Sequence, residues 1–152
     1  MSPCPDPDPL VTRHDECPAD AAAVIDAGLA AYNDGAAPLH EVHPVSSVAR
    51  AADGSVLGGA IGRRWGACCE LQQLWLRDDQ RGTGLGRRIV RAFEARAADL
   101  GCQVVILETF SFQAPAFYAR LGYVVEFERT AYPHGLRKLF LKKRLTPTVV
   151  AT

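Results

Sequence analysis

The chain has 152 residues, 48% of them hydrophobic and 22% charged, which suits one sizeable core and leaves little room for a second domain. Seventeen basic residues balance seventeen acidic ones, so no global field favours nucleic acid or an anionic membrane. No run reaches the ~18 apolar residues of a membrane span, no basic and apolar leader opens the chain, and five cysteines without a C-x-x-C pair argue against a disulfide framework or a metal site, so a cytoplasmic protein is expected.

Pro3, Pro5, Pro7 and Pro9 alternate with acidic and small residues, which predicts a disordered tail over 1–9, then a domain over 10–146 and a C-terminal tail over 147–152. Residues 10–13 are a short strand candidate. A helix is expected over 18–32, with Ala22, Ile25, Leu29 and Tyr32 on one face, Pro18 in its first turn and Gly35 at its exit. Strands are expected over 45–52, 56–63 and 68–76, with Asp53-Gly54 marking the first hairpin. A glycine-rich segment then leads into a helix over 84–100, whose Leu85, Ile89, Val90, Phe93, Ala97 and Leu100 face the core and which Gly101 ends. The wholly apolar residues 104–107 read as a buried central strand. Pro115 opens a short helix that Gly122 terminates, and strands over 123–129 and 137–145 flank a turn containing Pro133 and Gly135. The order β-α-β-β-β-α-β-α-β-β describes an α/β sandwich with a mixed, mostly antiparallel sheet.

Arg81-Gly82-Thr83-Gly84-Leu85-Gly86 follows an apolar strand and enters an amphipathic helix, the context of an anion cradle at a helix N-terminus. A dinucleotide G-x-G-x-x-G fails because Arg87 and Ile89 stand where its last glycine belongs, and a P-loop fails for want of a Gly-Lys-Ser/Thr ending. The remaining pattern, R-x-x-G-x-G, resembles the acetyl-CoA pyrophosphate loop of the GNAT superfamily of N-acetyltransferases. Residues 108–123, ETFSFQAPAFYARLGY, resemble the second conserved region of that superfamily, in the right order and separated from the first by one helix and one strand.

The resemblance implies a GNAT fold, a single domain in which two central strands, here 68–76 and 103–107, splay apart to admit acetyl-CoA as co-substrate, with no metal. It implies that the backbone of Leu74, Trp75 and Leu76 pairs with the pantetheine arm, that Arg81, Gly82, Thr83, Gly84, Leu85, Gly86 and Arg87 hold the pyrophosphate, and that Gln113 replaces an asparagine that touches the cofactor arm. Tyr118 would protonate the departing thiolate as general acid. An amine with a pKa near ~10 must also lose a proton before it attacks, and Glu70, eleven residues ahead of Arg81, is the candidate base. Glu108 and His134, with Tyr32 and Asn33, are candidates for the acceptor pocket. The expected activity is acetyl transfer to a primary amine of a small cationic metabolite or antibiotic, by direct attack in a ternary complex. The resemblance is to a bacterial subgroup, many relatives of which are dimers. Protein or peptide acetylation, or a non-catalytic acyl-CoA sensor, are the alternative readings.

Overall fold

The computed structural model describes residues 8–146, in a first unit that ends at Leu39 and a second that begins at His40. The sequence-predicted tail falls largely, and the C-terminal tail wholly, outside the described residues.

The first unit is built on helix α1, Ala19–Ala36. Pro18 stands just before its first turn and accepts a hydrogen bond from the Ala22 N–H (2.9 Å). The helix runs past the expected Gly35 exit and ends where the Ala37 N–H reaches the Asn33 carbonyl (3.0 Å). The expected strand over 10–13 does not form. Leu10 and Val11 are exposed and Leu10–Arg13 has no ladder partner among the described residues, so an isolated strand has nothing to satisfy its backbone groups.

The second unit is a six-stranded sheet. Its strands are β1 (His43–Arg50), β2 (Val56–Trp65), β3 (Cys68–Leu76), β4 (Val104–Phe110), β5 (Val124–Arg129) and β6 (Lys138–Arg144), in the spatial order β1-β2-β3-β4-β6-β5. Every neighbouring pair is antiparallel except β3 and β4. That pair is parallel because helix α2 (Leu85–Asp99) carries the chain back across the sheet between them. A second, short helix, α3 (Pro115–Arg120), follows β4.

Helix α2 supplies one side of the core. Ile89, Val90, Phe93 and Ala97 recur at helical spacing and are all buried with Ala60, Cys69, Leu71, Val105, Leu107 and Leu141 of the sheet. Each large side chain removed from water contributes about 1.5–3 kcal/mol. The helix lies close because β2 presents Gly58, Ala60 and Gly62 towards it. A methyl at Gly58 would stand 3.1 Å from Ile89 Cδ1, and one at Gly62 would stand 2.8 Å from Phe93 Cζ and overlap the Glu70 carbonyl. The helix then ends in a Schellman motif: Cys102 N–H bonds the Ala97 carbonyl and Gly101 N–H the Ala98 carbonyl (both 2.9 Å), with Gly101 at φ +86°. Among the described residues no helix is long and apolar enough to cross a membrane.

Candidate active site

The parallel ladder between β3 and β4 is short. It pairs Cys68 with Val104 and continues only to Leu71 and Leu107. There β3 carries a bulge at Gln72, since Gly62 faces Leu71 while Ile61 faces Gln73. Beyond this point β3 remains paired to β2, β4 remains paired to β6, and the two strands part. The fork opens a cleft of about 960 Å³ lined by Leu71–Leu76, by Glu108 and Thr109 of β4, by the segment that opens α2, and by α3.

One margin of the cleft is the glycine segment. Gly82 and Gly84 adopt φ +72° and +84°, a region glycine enters without steric cost, and a methyl at either would meet nothing within 4 Å. The first internal bond of α2 is from Arg88 N–H to the Gly84 carbonyl (3.2 Å), so the N–H groups of Leu85, Gly86 and Arg87 precede it. No acidic residue occupies the first turn, and Arg87 and Arg88 follow immediately. The segment is braced from outside by a two-pronged Arg77–Asp79 contact (2.6 and 2.7 Å) and by the Thr83 hydroxyl, which donates to the Gln80 carbonyl (2.7 Å). Arg81 pairs with Asp78 at 3.1 Å, both side chains largely exposed, and such a pair yields little energy and exchanges partners readily. Helix polarity, open glycines and basic side chains together fit a pyrophosphate. The unpartnered edge of β3 beside them fits an extended amide-bearing arm.

Tyr118 lies on the opposite wall, and its placement follows from the end of α3. Gly122, at φ +95°, closes a second Schellman motif in which Tyr123 N–H bonds the Tyr118 carbonyl (3.1 Å) and Gly122 N–H the Ala119 carbonyl (3.1 Å). The motif brings the Tyr118 and Tyr123 rings edge to face at 5.7 Å, and Phe117 packs against Tyr118 at 5.2 Å. Tyr123 is itself anchored: its hydroxyl donates to Glu94 of α2 (2.9 Å), whose other oxygen takes a bond from Lys143 of β6 (2.8 Å). Burial raises the Tyr118 phenol above its ordinary value, so it keeps its proton through neutral pH and is a donor.

Of the residues expected at the site, Leu74, Trp75, Leu76, Arg81, Gly82, Gly84, Gly86, Arg87, Glu108, Gln113 and Tyr118 line this one cleft. Thr83 and Leu85 do not. They border a smaller cavity of about 580 Å³ between β1 and α2, leaving only their backbone on the loop. Glu70 also stays outside the lining, one residue before the strands part, and pairs with Arg63 (2.9 Å). His134 sits exposed in a turn at φ +57° and is not among the lining residues. Tyr32 and Asn33 belong to α1 of the first unit, where Tyr32 is exposed. The Gln113 amide oxygen accepts from the Phe110 N–H (2.7 Å) and the Thr109 hydroxyl (3.2 Å), closing the β4–α3 turn and leaving its NH₂ free to donate. Phe112, Arg120 and Thr109 also line the cleft and escape the sequence reading. Arg120, three residues past Phe117 on a short helix, had a spacing signal; Phe112 had none.

The Acetyltransferase (GNAT) family model matches residues 11–123. The chain belongs to the GNAT acetyltransferase family. It is accordingly an N-acetyltransferase, and its mixed sheet with flanking helices is the GNAT fold. A curated relative, the blasticidin-S acetyltransferase of Streptomyces morookaense, is 36% identical over 112 residues, which is 71% of this chain and 82% of the relative. An acetyltransferase from Bacillus cereus ATCC 14579 superposes with a TM-score of 0.73 at 26% identity, over 88% of this chain and 98% of that one. A GNAT-like fold is likewise shared with an acetyltransferase structure from Agrobacterium tumefaciens, at TM-score 0.72 and 24% identity, over 89% of this chain and 98% of that one.

Proposed function

We propose that this GNAT enzyme uses acetyl-CoA to acetylate a primary amine of a small molecule, with an antibiotic as the acceptor class. The observation that carries the cofactor reading is the fork itself: a stretch of β3 with one open edge leads to a helix N-terminus framed by Gly82 and Gly84, with Tyr118 in the same cleft. The antibiotic reading is supported by the relative named for blasticidin S.

When bound, acetyl-CoA supplies the activated acetyl thioester. The backbone of Leu74, Trp75 and Leu76 aligns the arm as an added strand would, and a β3 N–H donates a hydrogen bond to the acetyl oxygen as negative charge grows on it. The N–H groups opening α2, with Arg81 and Arg87, hold the pyrophosphate. Tyr118 Oη donates its proton to the departing sulfur. Glu70, one residue short of the fork and oriented by Arg63, takes the acceptor's proton through water, while Glu108 faces the incoming ammonium from the cleft wall. With the thioester and the amine admitted to one cleft beside Tyr118, the mechanism this reading proposes is direct attack in a ternary complex.

The test is release of free CoA by the purified protein with polyamines, aminoglycosides and other antibiotics, amino acids and lysine peptides. Turnover confined to small amines, and depressed in Tyr118→Phe, is the expected result. Turnover confined to lysine peptides would replace the acceptor class, and saturable acetyl-CoA binding with no turnover in any class would sink the enzymatic reading in favour of a sensor.

A further inference from the structure

The sheet face turned away from α2 carries a pattern of its own around the end of β4. Thr109 is buried on the α2 side, so Glu108 and Phe110 project from the other. The β4–β6 register sets Phe140 opposite Glu108 and Lys138 opposite Phe110. Lys138 Nζ pairs with the Glu108 carboxylate and stands 5.7 and 5.5 Å from the ring centres of Phe110 and Phe140. Just past the strand, Phe112 stacks on Phe110 with centroids 5.5 Å apart and planes 19° from parallel, while Tyr132 meets Phe110 edge-on at 5.2 Å.

Phe112 is therefore held in orientation by the ring behind it, yet it is 65% exposed and lines the cleft. Among the described residues Phe110 is its one aromatic partner. Leaving most of a phenyl ring in water forfeits the burial energy that would justify it as core. The same cleft is lined by Glu108, a carboxylate paired with Lys138 that keeps oxygen lone pairs to spare for an N–H donor. An oriented aromatic face and a hydrogen-bond acceptor in one cleft match a planar ring that carries an amine.

We propose that Phe112 is a stacking platform that selects acceptors bearing a planar aromatic or heteroaromatic group, with Glu108 receiving the acceptor's N–H. The proposal rests on the acetyltransferase reading and narrows its substrate class. Stacked rings gain about 0.5–1.5 kcal/mol beyond their burial, which converts to roughly a two- to tenfold preference over a saturated ring of similar size.

The experiment compares benzylamine with cyclohexylmethylamine by ligand-observed NMR titration in the presence of CoA, using the wild-type chain, Phe112→Leu and Phe112→Tyr. Benzylamine is expected to bind more tightly to the wild type, to weaken about fivefold in Phe112→Leu, and to hold its affinity in Phe112→Tyr, while cyclohexylmethylamine stays within about twofold throughout. Equal shifts for both amines, no shift for either, or binding of neither would overturn the platform. Release of CoA is followed separately with the same amines. A protein that binds benzylamine through Phe112 but never releases CoA fails the acetyltransferase reading alone, and one that acetylates both amines with equal KM fails the platform alone.

Discussion

The two halves of β3 belong to one strand and meet opposite fates. Cys68–Leu71 is paired on both edges, by β2 and by β4, and sends Cys69 and Leu71 into the core beneath α2. Residues 72–76, after the bulge, keep only β2 and leave an open edge along the cleft, with Trp75 55% exposed. An open strand edge is a liability in most proteins because its N–H and C=O groups recruit another chain. Here the liability is confined to five residues, walled by α2, α3 and the glycine segment, and on the proposed reading it receives an extended ligand. Stability is concentrated in the first half and function in the second.

Changes in the cleft around the second half should therefore remove activity while sparing the fold. The largest effect is expected from Tyr118→Phe, which keeps the ring packing against Phe117 and Tyr123 but deletes the proton donor. A fall in kcat of about a hundredfold is expected, with acetyl-CoA KM and the melting temperature nearly unchanged, since a positioned general acid contributes about 10²-fold or more. A rise in KM and a fall in kcat together with a lower melting point would show that the hydroxyl is structural.

Changes packed against the first half should do the reverse. Gly62→Ala forces a methyl between the Glu70 carbonyl and the Phe93 ring, where neither the β3 backbone nor the buried phenyl has room to yield. Overpacking of this kind costs about 1–3 kcal/mol, which lowers the melting temperature by several degrees; thermal melts check it, and the folded fraction should retain its kcat. Gly84→Ala is the paired control. Nothing crowds that site, and the cost is the positive φ alone, about 1 kcal/mol. The carbonyl and N–H vectors of the loop turn with it, so KM for acetyl-CoA is expected to rise about tenfold while the melt moves little.

The same contrast explains what the sequence disclosed. Helical periodicity located the buried face of α2, because core burial imposes a repeat on neighbouring residues, whereas the six strands of the sheet were read from short runs bounded by turn signals, β5 being exposed along its whole length. The glycine segment and the F-Y pair were legible because each is a local device: a run of positive-φ glycines, or a capping turn that carries its own tyrosine. The strand over 10–13 was read from composition alone and failed for lack of a partner strand. Glu70 illustrates the remaining difficulty. Strand alternation puts it on the face opposite Cys69, but its pairing with Arg63 and its position just short of the fork depend on where two distant strands stop pairing. Phe112 was missed for the same reason, since its meaning comes from Phe110, Tyr132 and Lys138 across two connections.

The last expected effect is a pH dependence that begins in the doubly paired half. Cys69 is fully buried, and burial together with the neighbouring Cys102 and Cys68 pushes its thiol from 9.0 to about 12. Unfolded, the thiol ionises near its ordinary value; folded, it holds its proton until pH approaches about 12. Between those values the unfolded state binds fewer protons than the native state, so stability must fall as pH rises, and no contribution is lost below pH 9. Tyr118 has the same sign, its folded phenol lying above the ordinary value, and adds to the alkaline loss only beyond about pH 10. Cys69→Val replaces the thiol with an apolar group of similar size and should flatten the decline between pH 9 and 11 without altering kcat at neutral pH. Melting temperatures of the two proteins, measured at half-unit intervals across that range, decide the matter: parallel curves would mean that Cys69 ionises as freely folded as unfolded, and that the first half of β3 admits water as the second half does.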